Sequence, residues 1–268
     1  MKKPGCHETM HDIRYSLWHI QQFEILIWTN SNIAVLNIMS SPFRDIFYRT
    51  IPFVSRIKDR AYRIPPLARV ISVRNNNSCQ YKRGCLKNTP IEIGGKNNSI
   101  VIGDGSVLHN SRIVVYGSDH NLVIGNDCII KNCVFWFEDD HCTITVGDHT
   151  SIEGAEIAVT EPGSLISLGE DCMLSFDIDI RCGDSHSIID TITNSRINFA
   201  QDIIIGDHVW LGAHAQVLKG ANVGENCVVG TRAVVTSNIP SNSIVAGIPA
   251  KIIRTNTNWK RERIYQVD

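Results

Sequence analysis

The side chains best suited to proton transfer stand together in one irregular stretch, RCGDSHSIIDTITNSRINFAQD, residues 181 to 202. His186 is its central candidate, because an imidazole can take up and release a proton near neutral pH, as a general base must. The blander reading is a solvated loop histidine. Asp184, two residues earlier, could orient the ring through a hydrogen bond, and Cys182 offers a thiol as an alternative nucleophile. Downstream, the indole N–H of Trp210 is a donor suited to a carbonyl or an oxyanion, and it cannot act as a base. A tryptophan filling a subunit interface is the competing account of that residue. His208 and His214 suggest a metal, but they are six residues apart in a segment whose repeat is also six. That spacing puts them on consecutive faces, where one protomer cannot readily bring both to one ion, so no metal is expected.

These groups need a rigid support, and the next stretch supplies it. In IGDHVWLGAHAQVLKGANVGENCVVGTRAVV, residues 205 to 235, an aliphatic side chain returns at every sixth position: Ile205, Leu211, Val217, Val223, Val229 and Val235. A small or modest side chain follows four places after the first five of these, at Val209, Ala215, Ala221, Cys227 and Ala233. A six-residue unit with one inward aliphatic describes a short strand plus a corner. Three such units close a coil of 18 residues that buries its neighbour's core.

Upstream the period changes. IGDGSV at 102, IGNDCI at 124, VGDHTS at 146 and LGEDCM at 168 recur every 22 residues. The four additional residues are expected to leave the coil at one corner each time, at Gly117 to His120, Asp139 to His141 and Glu161 to Ser164, as stacked surface turns. Trp136 occupies a position where the phase set by Ile124 and Ile130 calls for an aliphatic, which leaves the register there open by one residue. After Ile180 the next inward residue falls due at 186, yet the pattern resumes at Ile205, so nineteen residues are inserted. A long excursion from a stiff scaffold is a place for function, since it can present reactive groups without disturbing the core.

The chain has 268 residues and a net charge of -1, but residues 42 to 87 hold eleven Lys or Arg against two Asp. That basic stretch could attract an anionic polymer or a membrane surface; equally, it could be the solvated face of helices that cap the coil. Ile13, Leu17, Ile20 and Phe23, then Phe47, Ile51, Val54 and Ile57, have helical spacing. The expected organisation is a mostly helical segment at 1–88, a coiled domain at 89–254 with an inserted loop at 181–204, and a tail at 255–268. No run reaches the ~18 apolar residues of a membrane span, and the opening MKKPGCHETMHDIR lacks the apolar centre of a secretory signal, so a cytoplasmic location is expected. Nine cysteines form no CxxC pair, and Cys128, Cys172 and Cys227 occupy small-residue slots as packing groups, which suits a reducing compartment. No nucleic-acid partner is expected.

The run 205–235, followed by SNSIVAGIPAKIIR at 241–254, resembles the hexapeptide-repeat acyltransferases over roughly residues 90–254. DSHSI (184–188) followed by IGDHVWLG (205–212) is similar to the O-acetyltransferases of bacterial surface polysaccharides. The resemblance implies an all-β chain folded as a left-handed parallel β-helix with 18- and 22-residue coils. It further implies acetyl-CoA as cosubstrate, a homotrimer, and direct acetyl transfer to a sugar hydroxyl of a capsule, O-antigen or exopolysaccharide, including anionic ones. In that reading His186 is the base, and Trp210 lines the acyl-transfer site. Gly212, Ala213, Gly230 and Thr231 would offer open backbone groups to the pantetheine arm, which the family places between neighbouring protomers, while Lys251 and Arg254 would meet the nucleotide phosphates. The alternatives are a same-fold acetyltransferase for an amino sugar, serine or an antibiotic, and a non-catalytic β-helical scaffold. The insertion weighs against the scaffold.

Overall fold

The computed structural model describes residues 70–71 and 75–265. The helices expected before residue 64, and most of the basic stretch, lie outside these residues. The described chain winds into a three-sided prism whose faces are sheets of eight, seven and nine strands. Face one includes Arg112–Val115, Cys133–Phe137, Ala155–Val159, Ile178–Arg181 and Gln216–Leu218; face two includes Asn121–Ile124, Thr143–Val146, Leu165–Leu168, Ile203–Ile205 and Asn222–Val223; face three includes Ser151–Ile152, Met173–Leu174, Trp210–Leu211, Val228–Val229 and Ser243–Ala246. Each strand pairs in parallel with its counterpart one coil on, as in Ile124↔Val146 and Val146↔Leu168. The one antiparallel pairing among named strands is the last, where Lys251–Thr255 folds back on Ser243–Ala246.

The six-residue step is visible as burial. Ile205, Leu211, Val217, Val223, Val229 and Val235 are all at most 1% exposed and stack on one another through the axis. Burying an aliphatic side chain stabilises by roughly 1.5–3 kcal/mol over leaving it in water, so these columns hold the coils together. Cys128, Cys172 and Cys227 are fully buried among them, as expected of small apolar residues. The glycine after each face-two aliphatic from Ile102 to Val223 allows coils to approach: a Cβ at Gly103 would stand 2.5 Å from the carbonyl carbon of Gly125. Between faces two and three the corner residues Asp127, His149, Asp171, His208 and Asn226 take φ of 51 to 59°, a left-handed region that Asn, Asp and His tolerate better than most side chains.

Three expectations need correction. The coil begins before residue 89, since Val70–Ile71 pairs with Ile91–Glu92, Ser78–Gln80 with Ser99–Val101, and Leu86–Lys87 with Leu108–His109. Asn75 and Asn76, between the first two of these strands, take the left-handed φ of 61 and 62° found at the later corners. Trp136 points outward and its neighbours Phe135 and Phe137 are fully buried, because this side steps by five residues from Ile130 instead of six. The extra four residues of each long coil do not form a protruding loop. They lengthen the strands on either side of the face one/face two corner, to five residues at Cys133–Phe137 and four at Thr143–Val146, against three at Gln216–Leu218 and two at Asn222–Val223.

The corner between those lengthened strands does stack, through His141 N–H to Ser118 O (2.9 Å) and Gly163 N–H to Asp140 O (3.1 Å). Its inner edge is a buried polar ladder. Asn98 Oδ1 accepts from the His120 backbone N–H (2.9 Å), and His120 Nδ1 accepts from the Cys142 N–H (3.0 Å). On the other side, Asn98 Nδ2 donates to Gly94 O and Gly117 O at 2.8 and 3.0 Å, and His120 Nε2 reaches Tyr116 O and Asp139 O at 2.7 and 3.2 Å. Asparagine and histidine thus do one job in successive coils: each accepts from the coil above and donates to turn carbonyls. His120→Ala strands a buried N–H and two carbonyls, so it should cost about 2–4 kcal/mol in denaturant unfolding. His120→Asn should recover more than half of that loss.

Candidate active site

The insertion leaves face one after Arg181 and rejoins face two at Ile203, so the irregular part is residues 182–202, slightly shorter than expected. It departs from the same corner that carries the stacked turns. Cys182 is buried at its root, its sulfur accepting from Thr160 N–H at 3.5 Å, and burial pushes the thiol pKa up, which does not suit a nucleophile. Beyond it the chain forms a short antiparallel arm. Ile189 bridges Arg196, Ile197 N–H donates to Ile188 O (2.9 Å), and Asp190 at the tip accepts from the N–H groups of Ile192 and Thr193 at 2.9 and 2.7 Å.

One buried side chain holds the arm to the prism. Asn198, 6% exposed, donates from Nδ2 to Asp184 Oδ2 and to His186 O, both at 2.7 Å, and accepts at Oδ1 from Ile188 N–H (2.7 Å) and Arg196 Nε–H (3.2 Å). Every donor and acceptor of the amide is therefore used. Lys219 pairs with the Asp184 carboxylate and also donates to Asn198 O at 3.1 Å, while Arg196 pairs with Glu161 and lies 4.9 Å over the Phe199 ring. Lys219 occupies the position after Leu218, and this pairing is its role. Asn198 and Arg196 carry no periodic signal and were not legible as site residues; the only cue was their place in the insertion.

His186 comes out of this frame exposed. Its backbone N–H donates to Asp184 O (2.6 Å) across Ser185, whose φ is 58°, a tight turn that lifts the residue off the anchor. The expected Asp184–His186 ring pair is not formed, because the carboxylate is taken by Asn198 and Lys219. Asp184 steadies the loop instead, and the hydrogen bond from Lys219 holds its pKa below the ordinary aspartate value.

Trp210 lies outward on face three, 37% exposed, between Met173 and Val228 of the adjoining coils. No hydrogen bond among the described residues takes its indole N–H. No hydrogen bond or ring contact joins it to His186, which sits on the far side of the Ile203–Ile205 strand at another corner. His208 and His214 are committed elsewhere: His208 Nδ1 is 2.6 Å from Asp171 Oδ2 with its ring stacked on Trp259 at 4.1 Å, and His214 lies 3.5 Å from Asp177 and edge-on to Phe176. Among the described residues no group of three metal-ligating side chains converges.

The expected cofactor residues divide. The N–H groups of Gly212 and Gly230 are not open to a ligand, since they donate at 2.8 Å to Val229 O and Val245 O in the coil ladder, and Ala213 O accepts from Arg232 N–H. Gly212 serves packing, because a Cβ there would lie 2.7 Å from Thr231 N. Thr231, Lys251 and Arg254 are exposed, the last two on the terminal antiparallel strand.

Asn198→Ala removes the keystone of the arm without touching the aliphatic columns, so it should free the arm from the prism while the coil stays folded. Limited proteolysis should then cut first within 186–197. Because the Asp184 pKa is depressed, its contribution to holding the arm is present above the ordinary value of about 3.9 and is lost as pH falls through the lowered one. Protection of the arm should therefore be flat from pH 8 to pH 5 and fail only in acid.

Comparison with known proteins agrees with this geometry. A family model described as bacterial transferase hexapeptide (six repeats) matches residues 202–237. A polysialic acid O-acetyltransferase of Neisseria meningitidis is 35% identical over 146 residues, which cover 54% of this chain and 67% of that protein. A polysialic acid O-acetyltransferase of Escherichia coli O1:K1 / APEC is 36% identical over 118 residues, but the match spans only 38% of its length and 44% of this chain. The solved polysialic acid O-acetyltransferase OatWY superposes with a TM-score of 0.67 at 32% identity, covering 72% of this chain and 92% of that one. Coil period, sheet topology and these likenesses together show that the chain belongs to the hexapeptide-repeat acetyltransferases, and its prism is the left-handed parallel β-helix of that family.

Proposed function

We propose that this protein transfers an acetyl group from acetyl-CoA to a hydroxyl of a bacterial surface polysaccharide or its precursor. The observation that carries the reading is the likeness to two polysialic acid O-acetyltransferases, one of them matched over 67% of its length. The geometry supports it: an exposed imidazole stands on an arm whose base is pinned by four hydrogen bonds to one buried amide. In the reaction His186 removes the acceptor proton as the hydroxyl oxygen attacks the thioester carbonyl. The carbon–sulfur bond then breaks, and the proton on the imidazole passes to the departing thiolate. Trp210 donates its indole N–H to the carbonyl oxygen as negative charge builds there, which is where a fixed donor contributes most.

Because His186 and Trp210 project from different corners of one prism, the complete site is read as formed between protomers of a trimer, the arm of one reaching the Trp210 face of the next. The arm suits that role, with Ile188, Ile189, Ile192, Ile197 and Phe199 all 46–92% exposed. Large apolar side chains massed on one projection mark an interaction surface. Thr231, Lys251 and Arg254 remain candidates for coenzyme A, the two cations for its phosphates. Eight described cysteines, all unpaired, suit a cytoplasmic location.

His186→Ala should lower acetyl transfer by about 10²- to 10⁴-fold with little change in thermal stability. The assay is labelled acetyl-CoA against a panel of polysaccharides that includes polysialic acid and neutral capsules, with the product position read by NMR. Residual activity within tenfold of wild type would remove the histidine from the mechanism, and transfer to an amino sugar or an antibiotic in place of any polysaccharide would replace the acceptor.

A further inference from the structure

After the antiparallel strand Lys251–Thr255, the chain turns and runs back along the corner between faces two and three, from the coil of Asn242 past those of Asn226, His208 and Asp171 to that of Ser151. Thr257 N–H and Oγ1–H both donate to Asn242 O, at 3.0 and 3.2 Å, in the last coil. Trp259, only 6% exposed, is fixed two coils below. Its ring stacks on His208 with a 4.1 Å centroid distance and 7° between planes, its indole N–H donates to His208 O (2.7 Å), and its carbonyl lies 3.0 Å from His208 Nε2. Arg261 then reaches two coils further, to Asp171 Oδ1 (2.9 Å), Ser151 Oγ (2.9 Å) and Cys172 O (3.1 Å). A segment that reads as a polar tail is thus a strap pinned at three places.

Trp259 is also 6.0 Å from Trp210, centroid to centroid, with planes at 53°, within the range of interacting aromatic pairs. The two rings differ in one respect. The indole N–H of Trp259 is spent on the His208 carbonyl, whereas that of Trp210 is taken by no described residue. Met173 and Val228 flank Trp210 along the sheet, and Trp259 stands beside it at the corner.

We propose that Trp259 is a positioning residue: the strap makes it a fixed wall against which the Trp210 indole rests, so that its N–H points where the acyl carbonyl must lie. The inference rests on the assignment of Trp210 to the transfer site. Asp171 and His208 act one step further out, by holding Trp259.

The test is a double-mutant cycle with a spectroscopic control. Trp259→Ala should lower kcat about 10- to 100-fold, as ångström-scale misplacement does, and Trp259→Phe, which keeps an aromatic wall, should recover most of the loss. In a Trp210→Phe background, which has no indole donor to aim, Trp259→Ala should cost less than about twofold. A strap that merely stabilised the coil would reduce both backgrounds by the same factor, and that result would overturn the proposal. The chain has five tryptophans, and loss of one indole N–H resonance in Trp210→Phe identifies the relevant signal. That resonance should move or broaden in Trp259→Ala, and an unmoved resonance would likewise overturn the wall. Wild-type rate in Trp210→Phe is a separate outcome: it would remove Trp210 from the transfer site and the inference with it, whatever the resonance does.

Discussion

Backbone hydrogen bonding from coil to coil is the constraint on which everything else in this molecule depends. Gly103, Gly125, Gly147, Gly169 and Gly206 each donate their N–H, at 2.8–2.9 Å, to the inward aliphatic one coil on: Ile124, Val146, Leu168, Ile205 and Val223. The step in sequence is 22 residues for three of these, then 37, then 18, yet the bond is the same. The ladder is indifferent to what leaves the coil at a corner provided the strands return in register. That indifference lets one corner carry stacked turns in successive coils and a long arm in the next without cost to the core.

Stiffness then passes outward by a few buried polar contacts. The ladder fixes Lys219 and Glu161 in the prism; they hold Asp184 and Arg196; these meet in the amide of Asn198, which fixes the arm. On another corner, Asp171 and His208 hold Trp259, which bounds Trp210. In both places an exposed group with chemistry to offer is backed by one that has none left. His186 and Trp210 have open polar atoms; Asn198 and Trp259 have theirs fully engaged.

Much of this was legible in the sequence because a β-helix writes its period directly into the chain. One inward aliphatic every six residues gave the coils from 205 to 235 without error, and the 22-residue recurrence of the Ile-Gly-Asp type gave those before it. The insertion stood out as a failure of the period, and it held the exposed imidazole. What escaped is what departs from the six-residue step. The five-residue step that turns Phe135 inward and Trp136 outward recurs at Leu108 to Ile113 and Ile152 to Ile157, where an aliphatic neighbour hides it, and Gly212 and Gly230 look open although the ladder consumes their N–H groups. Asp184 was assigned to the histidine by proximity in sequence, but Lys219, 35 residues away, has the stronger hold on it. Trp259 is 51 residues from the histidine it stacks on, a pairing that only the return path of the strap creates.

The central claim is that the arm of one protomer acts on the Trp210 face of another, and mixed oligomers test it most directly. Subunits lacking His186 and subunits lacking Trp210 should each be inactive as homotrimers. Refolded together in equal amounts, they form interfaces of which about one in four pairs an intact arm with an intact tryptophan, since each cyclic interface draws its two halves from different subunits. The account predicts recovery of about a quarter of wild-type activity. A mixture that stays as inactive as its parents, although shown by mass to be mixed, would contradict it and return both residues to a single protomer.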